Sequence, residues 1–232
     1  MPKFSVIMAS FNYEAFIGEA IASVIAQTCP DWELIVWDDG SSDNSLAVIK
    51  SYMERDSRVK LYTHPGNVNR GLIATVTGAL AECRGEIVAF LESDDKFASD
   101  NLARKLAVFD RYPGVGVVSN QVELFGDSKR IAEYDRYFAW QRQEFARLEF
   151  PCNIFKLLLK ENFIPTFSCV AIRRELLRQT HIDGVYPPWL DRYWYLQILY
   201  RQDFYFIDEV LSFWRMHQTS YIGKTGKAYK QG

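Results

Sequence analysis

Three times in its first hundred residues the chain runs through a short apolar stretch and stops at a polar, mostly acidic cluster. Phe4 to Ala9 ends in "SFN", Glu33 to Trp37 ends in "DDGSSD", and Ile87 to Leu91 ends in "ESDD". Between these runs apolar residues recur at helical spacing: Ile17, Ile21, Val24 and Ile25, then Leu46, Ile49 and Met53, then Leu72, Val76 and Leu80. Short apolar runs alternating with amphipathic helices predict βαβ units and a mostly parallel sheet, with Val59 to Thr63 as a fourth strand. Ligands of such sheets bind outside the carboxyl ends of the strands, which is where all three polar clusters fall.

Further along, the spacing predicts a helix over Asn101 to Arg111 and a strand over Val115 to Ser119. The pattern loosens from Gln121 to Phe150, a polar, aromatic and charged stretch that reads as a variable insert. Regular signals return with "NIFKLLLKE", the strand "SCVAIRR", the aromatic helix "WLDRYWYLQILYR", and two late strands, "FYFID" and "VLSFWRMH". The ending "GKTGKAYKQG" reads as a solvated polar tail over residues 223–232, with a membrane-surface role for Lys224, Lys227 and Lys230 as the alternative.

With 48% hydrophobic residues in 232, the chain can bury one large core, with or without a smaller appendage. A formal net charge of -2 gives no electrostatic case for nucleic-acid binding. Cys29, Cys83, Cys152 and Cys169 show neither zinc-ligand spacing nor a disulfide framework, which points to a reduced, cytosolic setting. No signal peptide opens the chain, and no stretch reaches the roughly 20 apolar residues of a membrane span, so a soluble protein is expected.

The cluster after the third run carries the chemistry. Asp94 and Asp95 offer hard oxygen ligands suited to Mg²⁺ or Mn²⁺ alongside substrate phosphates; equally, Ser93, Asp94 and Asp95 are ordinary turn residues. Asp39 at the second strand end can accept hydrogen bonds from a ligand's imide or hydroxyl groups, whereas Asp43 and its serines read as helix caps. Arg70, in the glycine-bearing loop "HPGNVNRGL", is a fork-shaped donor for a phosphate or a base edge, or simply a surface residue. Neither G-x-G-x-x-G nor G-x-x-x-x-G-K-[ST] follows a strand, so any phosphate is held another way.

Taken in order, "SFNYEAFIGEAIASVIAQT", "DDGSSDNS", "GNVNRGL" and "RGEIVAFLESDD" resemble the family 2 glycosyltransferases over roughly residues 4 to 110. The resemblance implies a GT-A fold: an α/β, mostly parallel, Rossmann-like sheet flanked by helices, with a smaller acceptor-side C-terminal part. It implies a nucleotide-sugar-binding part over 1–120, and over 121–222 the insert and the acceptor and catalytic-base part of the same domain. It places Ser10 and Asn12 beside the nucleotide, Asp39 at the base, Arg70 closing over it, Asp94 near the ribose and Asp95 at a Mn²⁺ or Mg²⁺ ion. Asp191 in "PPWLDRYW" matches the catalytic base, with Asp183 and Asp208 as rivals.

The late "FWRMHQTS" matches an R-x-H-x-x-S ending, which gives Arg215 to the diphosphate and His217 to the metal. Trp189 and Trp194 would supply an acceptor platform, although aromatics at helical spacing also build cores. Two departures stand out: Glu92 where the family carries Asp, and Leu190 where it more often has a second acid. The implied activity is single-sugar transfer with inversion, from a UDP-sugar to a hydroxyl of a glycan or lipid-linked acceptor, in cell-surface polysaccharide biosynthesis. It would take place in the cytoplasm, at most peripherally on the inner membrane face. A sugar nucleotidyltransferase, whose Gly-rich loop "SFNYEAF" lacks, and a non-catalytic nucleotide-sugar or glycan-binding relative are the competing readings.

Overall fold

The structure is a computed structural model and describes residues 1–182 and 190–218. Strands β1 (Phe4–Ser10), β2 (Trp32–Asp38), β3 (Val59–Thr63) and β4 (Ile87–Phe90) are joined by helices α1 (Ile17–Ile25), α2 (Ser45–Met53) and α3 (Leu72–Glu82). Alternation along β1 explains why the strand is apolar throughout. Phe4, Val6 and Met8 pack on one side with Ile17, Ile21 and Ile49, while Ile7 packs on the other with Val76 and Ala79. A strand covered on both faces can place polar groups only at its ends.

β1 to β4 are parallel, and β4 pairs with β1 on the side away from β2. From β1 the chain winds outward to β2 and β3, then crosses back to β4, so the strand order reverses between β1 and β4. The crevice outside the carboxyl ends of these two strands is where such a sheet binds ligands. The opposite, amino ends are locked by a polar network. Ser5 Oγ donates to Glu33 (2.7 Å) and accepts from the Gly85 amide (2.8 Å), and Lys60 pairs with Glu33 at 2.5 Å. The backbones approach so closely there that a Cβ on Gly85 would lie 2.4 Å from the Ser5 nitrogen.

The sheet continues through β7 (Val170–Arg173), β6 (Val115–Gly126), β8 (Asp203–Met216) and the short β5 (Lys96–Phe97), for eight strands among the described residues. β7 is antiparallel to both β4 and β6, whereas β8 runs parallel to β6. Helix α4 (Asn101–Arg111) packs beside β6, α6 (Phe155–Lys160) beside α8 (Leu190–Leu199), and the short α7 (Arg174–Leu177) beside β7.

Two segments differ from the sequence reading. β6 runs on to Gly126, and the stretch expected as an irregular insert contains α5 (Ser128–Phe145), whose first turn is capped by Asp127 accepting from the Lys129 and Arg130 amides. The two late strands are one: Ile207 pairs with Asn120 and Val210 with Gln121, so Asp208 and Glu209 bulge out of a continuous β8. Phe138 of α5 packs with Trp214 and Met216 of β8 in a small apolar cluster separate from the two main ones. Among the described residues no helix is long and apolar enough to cross a membrane.

One buried group opposes the fold. Lys105 of α4 is fully buried with its Nζ unpartnered, 5.3 Å from the centre of the Phe97 ring. Burial pulls its pKa down from the usual 10.5 to about 7. The unfolded chain therefore binds a proton that the folded chain releases, and stability falls as pH drops from about 10.5 towards 7. Lys105→Met is expected to raise unfolding free energy at pH 7 by about 1–3 kcal/mol, the cost of an unpaired buried donor. The gain should shrink in urea titrations at pH 10; an equal gain at both pH values would contradict this account.

Candidate functional site

A cavity of about 460 Å³ opens at the point where the strand order reverses. Its walls are the ends of β1 and β2, the first turns of α3, the acidic turn after β4, and α5 with the end of β8.

At the β1 and β2 end, the loops are stitched to one another. Asp38 accepts from the Ser41 amide and hydroxyl, Ser41 Oγ accepts from the Asn12 amide, and Asn12 Oδ1 accepts from the Ser42 amide at 2.8 Å. Asn12 holds a φ of 59°, a left-handed conformation that Asn tolerates better than most residues. Its side chain thus staples the loop and is not among the groups lining the cavity. Ser10 does line it, and its Oγ is buried with no partner.

Asp39 is buried at the cavity wall and accepts from the amides of Arg70 (2.7 Å) and Gly71 (2.9 Å), with His64 Nε2 at 3.4 Å. It fixes the 65–71 loop over the site. Gly40 permits that contact: its φ is +80°, and a Cβ there would meet the Asn69 nitrogen at 2.7 Å. The Arg70 side chain is exposed at the rim, outside the cavity lining.

The acidic turn lies beside the end of β8. Asp95 is fully buried; Ser168 Oγ donates to one of its oxygens (2.6 Å) and the Arg215 amide to the other (2.8 Å). Asp94 lines the cavity, with His217 Nε2 2.8 Å from its Oδ2. Arg215 reaches the Asp94 carbonyl through Nε at 2.8 Å, pairs with Glu19, and lies between the rings of Phe16 and Phe125.

Glu92, Asp94 and Asp95 can each offer an oxygen within 4.8 Å of the others. Burial, followed by the Asp94 and Glu92 charges, pushes Asp95 well above the usual carboxylate range. Burial, with Asp94 and Asp191, does the same to Glu92. A divalent cation relieves that penalty, and three hard carboxylates beside an imidazole suit Mn²⁺ or Mg²⁺. The donor set fits the ion. Both Asp95 oxygens are already engaged and Asp94 is the carboxylate of the pair that lines the cavity, which favours Asp94 at the ion where the sequence reading places Asp95 there and Asp94 near the ribose.

Asp191 occupies the first turn of α8, half-buried, accepting from Asn162 Nδ2 at 3.3 Å and from the Arg192 amide at 2.6 Å. Burial raises its pKa to about 6 despite those bonds. The expected platform role of Trp194 is corrected. Its ring is 0% exposed and packs on Phe90 and Phe167, because Leu190, Trp194, Tyr195 and Ile198 form the stripe of α8 turned into the core. Trp189 and the rival base Asp183 lie outside the described residues. Asp208, the other rival, is exposed on the bulge and bonded to Gln121 (2.6 Å).

Residues 5–180 match the family described as "Glycosyl transferase family 2". The chain belongs to glycosyltransferase family 2. An uncharacterized glycosyltransferase of Haemophilus influenzae is 34% identical over 140 residues, 56% of this chain and 55% of its own. The UDP-Glc:alpha-D-GlcNAc-diphosphoundecaprenol beta-1,3-glucosyltransferase WfgD of Escherichia coli is 28% identical over 173 residues, 74% of this chain and 65% of its own.

Among solved structures, the mannosyltransferase PcManGT of Pyrobaculum calidifontis, in complex with GDP-Man and Mn²⁺, superposes with a TM-score of 0.69 at 19% identity. It covers 100% of this chain and 65% of PcManGT. TarS 1-349 of S. aureus with UDP-GlcNAc gives 0.68 at 20% identity, covering 95% of this chain and 60% of TarS. Both share the GT-A fold. The chain spans about half the length of the first curated relatives it matches, at 55%, 39% and 45%.

This family 2 chain carries site residues that the motifs did not expose. Arg130 and Tyr134 of α5 and Trp214 of β8 line the cavity. Ser168, fully buried, is both the donor to Asp95 and the acceptor of the Glu92 amide (3.0 Å), so one hydroxyl fixes two members of the acidic turn. Ser168→Ala is expected to destabilise the protein by about 1–3 kcal/mol by leaving a buried carboxylate oxygen unpaired. The check is a fall in urea midpoint at unchanged m-value; a shift no larger than that of a surface substitution, within about 0.5 kcal/mol, would count against the linkage.

Proposed function

We propose that the protein transfers a single sugar from a nucleotide-sugar donor, a UDP-sugar, to a hydroxyl of a glycan or lipid-linked acceptor, with inversion, in cell-surface polysaccharide biosynthesis. The reading is carried by one juxtaposition. At the strand-order reversal a single cavity holds an unpartnered buried Ser10 hydroxyl at one end and a crowded acidic turn beside Arg215 further along. WfgD, whose name specifies a UDP-sugar donor and a diphosphoundecaprenol-linked acceptor, supports the same substrate classes. With an acceptor of that kind the protein would work in the cytoplasm at the inner membrane face.

Ser10 and Asp39 hold the nucleoside end, with the 65–71 loop and Arg70 closing over it. Asp94 and His217, completed by Asp95 and Glu92, would hold Mn²⁺ or Mg²⁺, which supplies positive charge for the departing nucleoside diphosphate. Arg215 adds a fixed guanidinium beside that diphosphate. Asp191 accepts the proton of the acceptor hydroxyl as its oxygen bonds the anomeric carbon and the bond to the diphosphate breaks. One displacement inverts the anomeric configuration.

A base must be ionised to act, so kcat/KM is expected to rise with pH through about 6 and then level, following the raised Asp191 pKa. Asp191→Asn should lower turnover by about 10²–10⁴-fold and remove that step. A product that keeps the donor's anomeric configuration, or undiminished turnover by the variant, would rule the mechanism out. For the donor end, calorimetric titration of UDP against GDP and dTDP, with and without Mn²⁺, should give metal-dependent UDP binding that Asp94→Asn weakens at least about tenfold, or about 1.4 kcal/mol. Absence of any nucleotide binding would shift the reading to a glycan-binding relative.

A further inference from the structure

The strand order ranks the cavity's groups along the carboxyl edge of the sheet: Asp39 after β2, Ser10 at β1, Glu92 and Asp94 after β4, then Trp214 on β8. α5 stands at this last end, where Tyr134 meets Trp214 edge-on with ring centres 5.1 Å apart. Arg130 and Tyr134 are one turn apart on the same face of α5, and both line the cavity.

Two cationic side chains line that cavity, Arg130 and Arg215. The charge of Arg215 is answered by Glu19, whereas Arg130 has no ion pair among the described residues. The Arg130 Nε is buried without a hydrogen-bond partner. Buried donors are normally satisfied, and unlike the orphaned Lys105 Nζ and Trp194 Nε1, which lie in the core, this one belongs to a side chain lining the cavity, where a ligand can supply the acceptor. Its backbone is held by the Asp127 cap, which fixes the root of the side chain before any ligand arrives. A guanidinium fork of this kind matches the oxygens of a phosphate in bidentate fashion.

We propose that Arg130 is the anion-binding residue of the acceptor half of the cavity and takes a phosphate group of the acceptor itself, not the diphosphate of the donor. This rests on the glycosyltransferase reading, in which the acidic turn and Arg215 already serve the donor's diphosphate. Arg130 lines the wall built by α5 and β8, and no hydrogen bond joins it to the acidic turn or to Arg215 among the described residues. A phosphate there positions a lipid-linked sugar, with its reactive hydroxyl directed back towards the acidic turn and Asp191. Arg130 is a binding and positioning residue and takes no part in proton transfer.

The probe is decyl diphosphate, below its micellar concentration, titrated calorimetrically in buffer with a fixed excess of Mn²⁺ into wild type, Arg130→Lys and Arg130→Gln, each with and without saturating UDP. Wild type should bind it alongside UDP. Arg130→Gln should weaken that binding at least tenfold, Arg130→Lys should fall between because a point charge cannot form the fork, and UDP affinity should be the same in all three.

If decyl diphosphate competes with UDP, and Arg130→Gln lowers UDP affinity, the anion belongs to the donor and the proposal is overturned. No binding to wild type, or equal binding by all three proteins, overturns it as well. Failure of UDP to bind wild type, with decyl diphosphate still dependent on Arg130, would overturn the donor reading and leave the anion site standing.

Discussion

The Asp95 carboxylate is buried between two segments 73 and 120 residues further along the chain, taking one hydrogen bond from the Ser168 hydroxyl and one from the Arg215 amide. Neither bond faces water, and a charged or polar group taken out of water must be matched by partners of good geometry. The acidic turn therefore exists in this form only when β7's leading turn and the end of β8 are in place. Ser168 also accepts the Glu92 amide, and Arg215, once anchored, delivers His217 to Asp94. The strand-end acids, the late basic motif and the segment before β7 form one unit that assembles together or not at all.

Much of the first half was legible because each of its elements obeys a local rule. β1, β2 and β4 are apolar on both faces, α1 to α3 carry a stripe, and the turns between them contain residues suited to turns. The second half resists for specific reasons. In α5, Ile131, Tyr134, Phe138 and Phe145 keep helical spacing, but the fourth place in the stripe is Gln141, which is buried and donates to the Phe163 carbonyl. A polar residue satisfied by a distant carbonyl looks exposed in sequence. Asp208 and Glu209 broke the reading of β8 because a bulge places two charged residues inside a continuous strand.

Residue roles were less legible than residue positions. Asn12 lies in the expected loop, yet its amide oxygen is turned to Ser42, and only coordinates show which neighbour an Asn side chain chooses. Trp194 illustrates the same limit: a tryptophan one turn into a helix beside a catalytic candidate suits a sugar platform or a core equally well, and the rotation of α8 decides for the core. Ser168 left no trace, since a lone serine before a strand carries no pattern.

The small cluster of Phe138, Trp214 and Met216 stands apart from the two cores that hold the sheet. Its neighbours Ile131, Tyr134 and Tyr137 pack on it and not on those cores. A lineage built on this scaffold can thus exchange the first turns of α5, whose last turn is anchored in the main core by Phe145, while the loops after β1 and β2, tied down by Asp38 and Asp39, stay as they are. Change in that wall is confined to one corner of the molecule, where a failed variant forfeits a few side-chain contacts and leaves the rest of the architecture to be inherited intact.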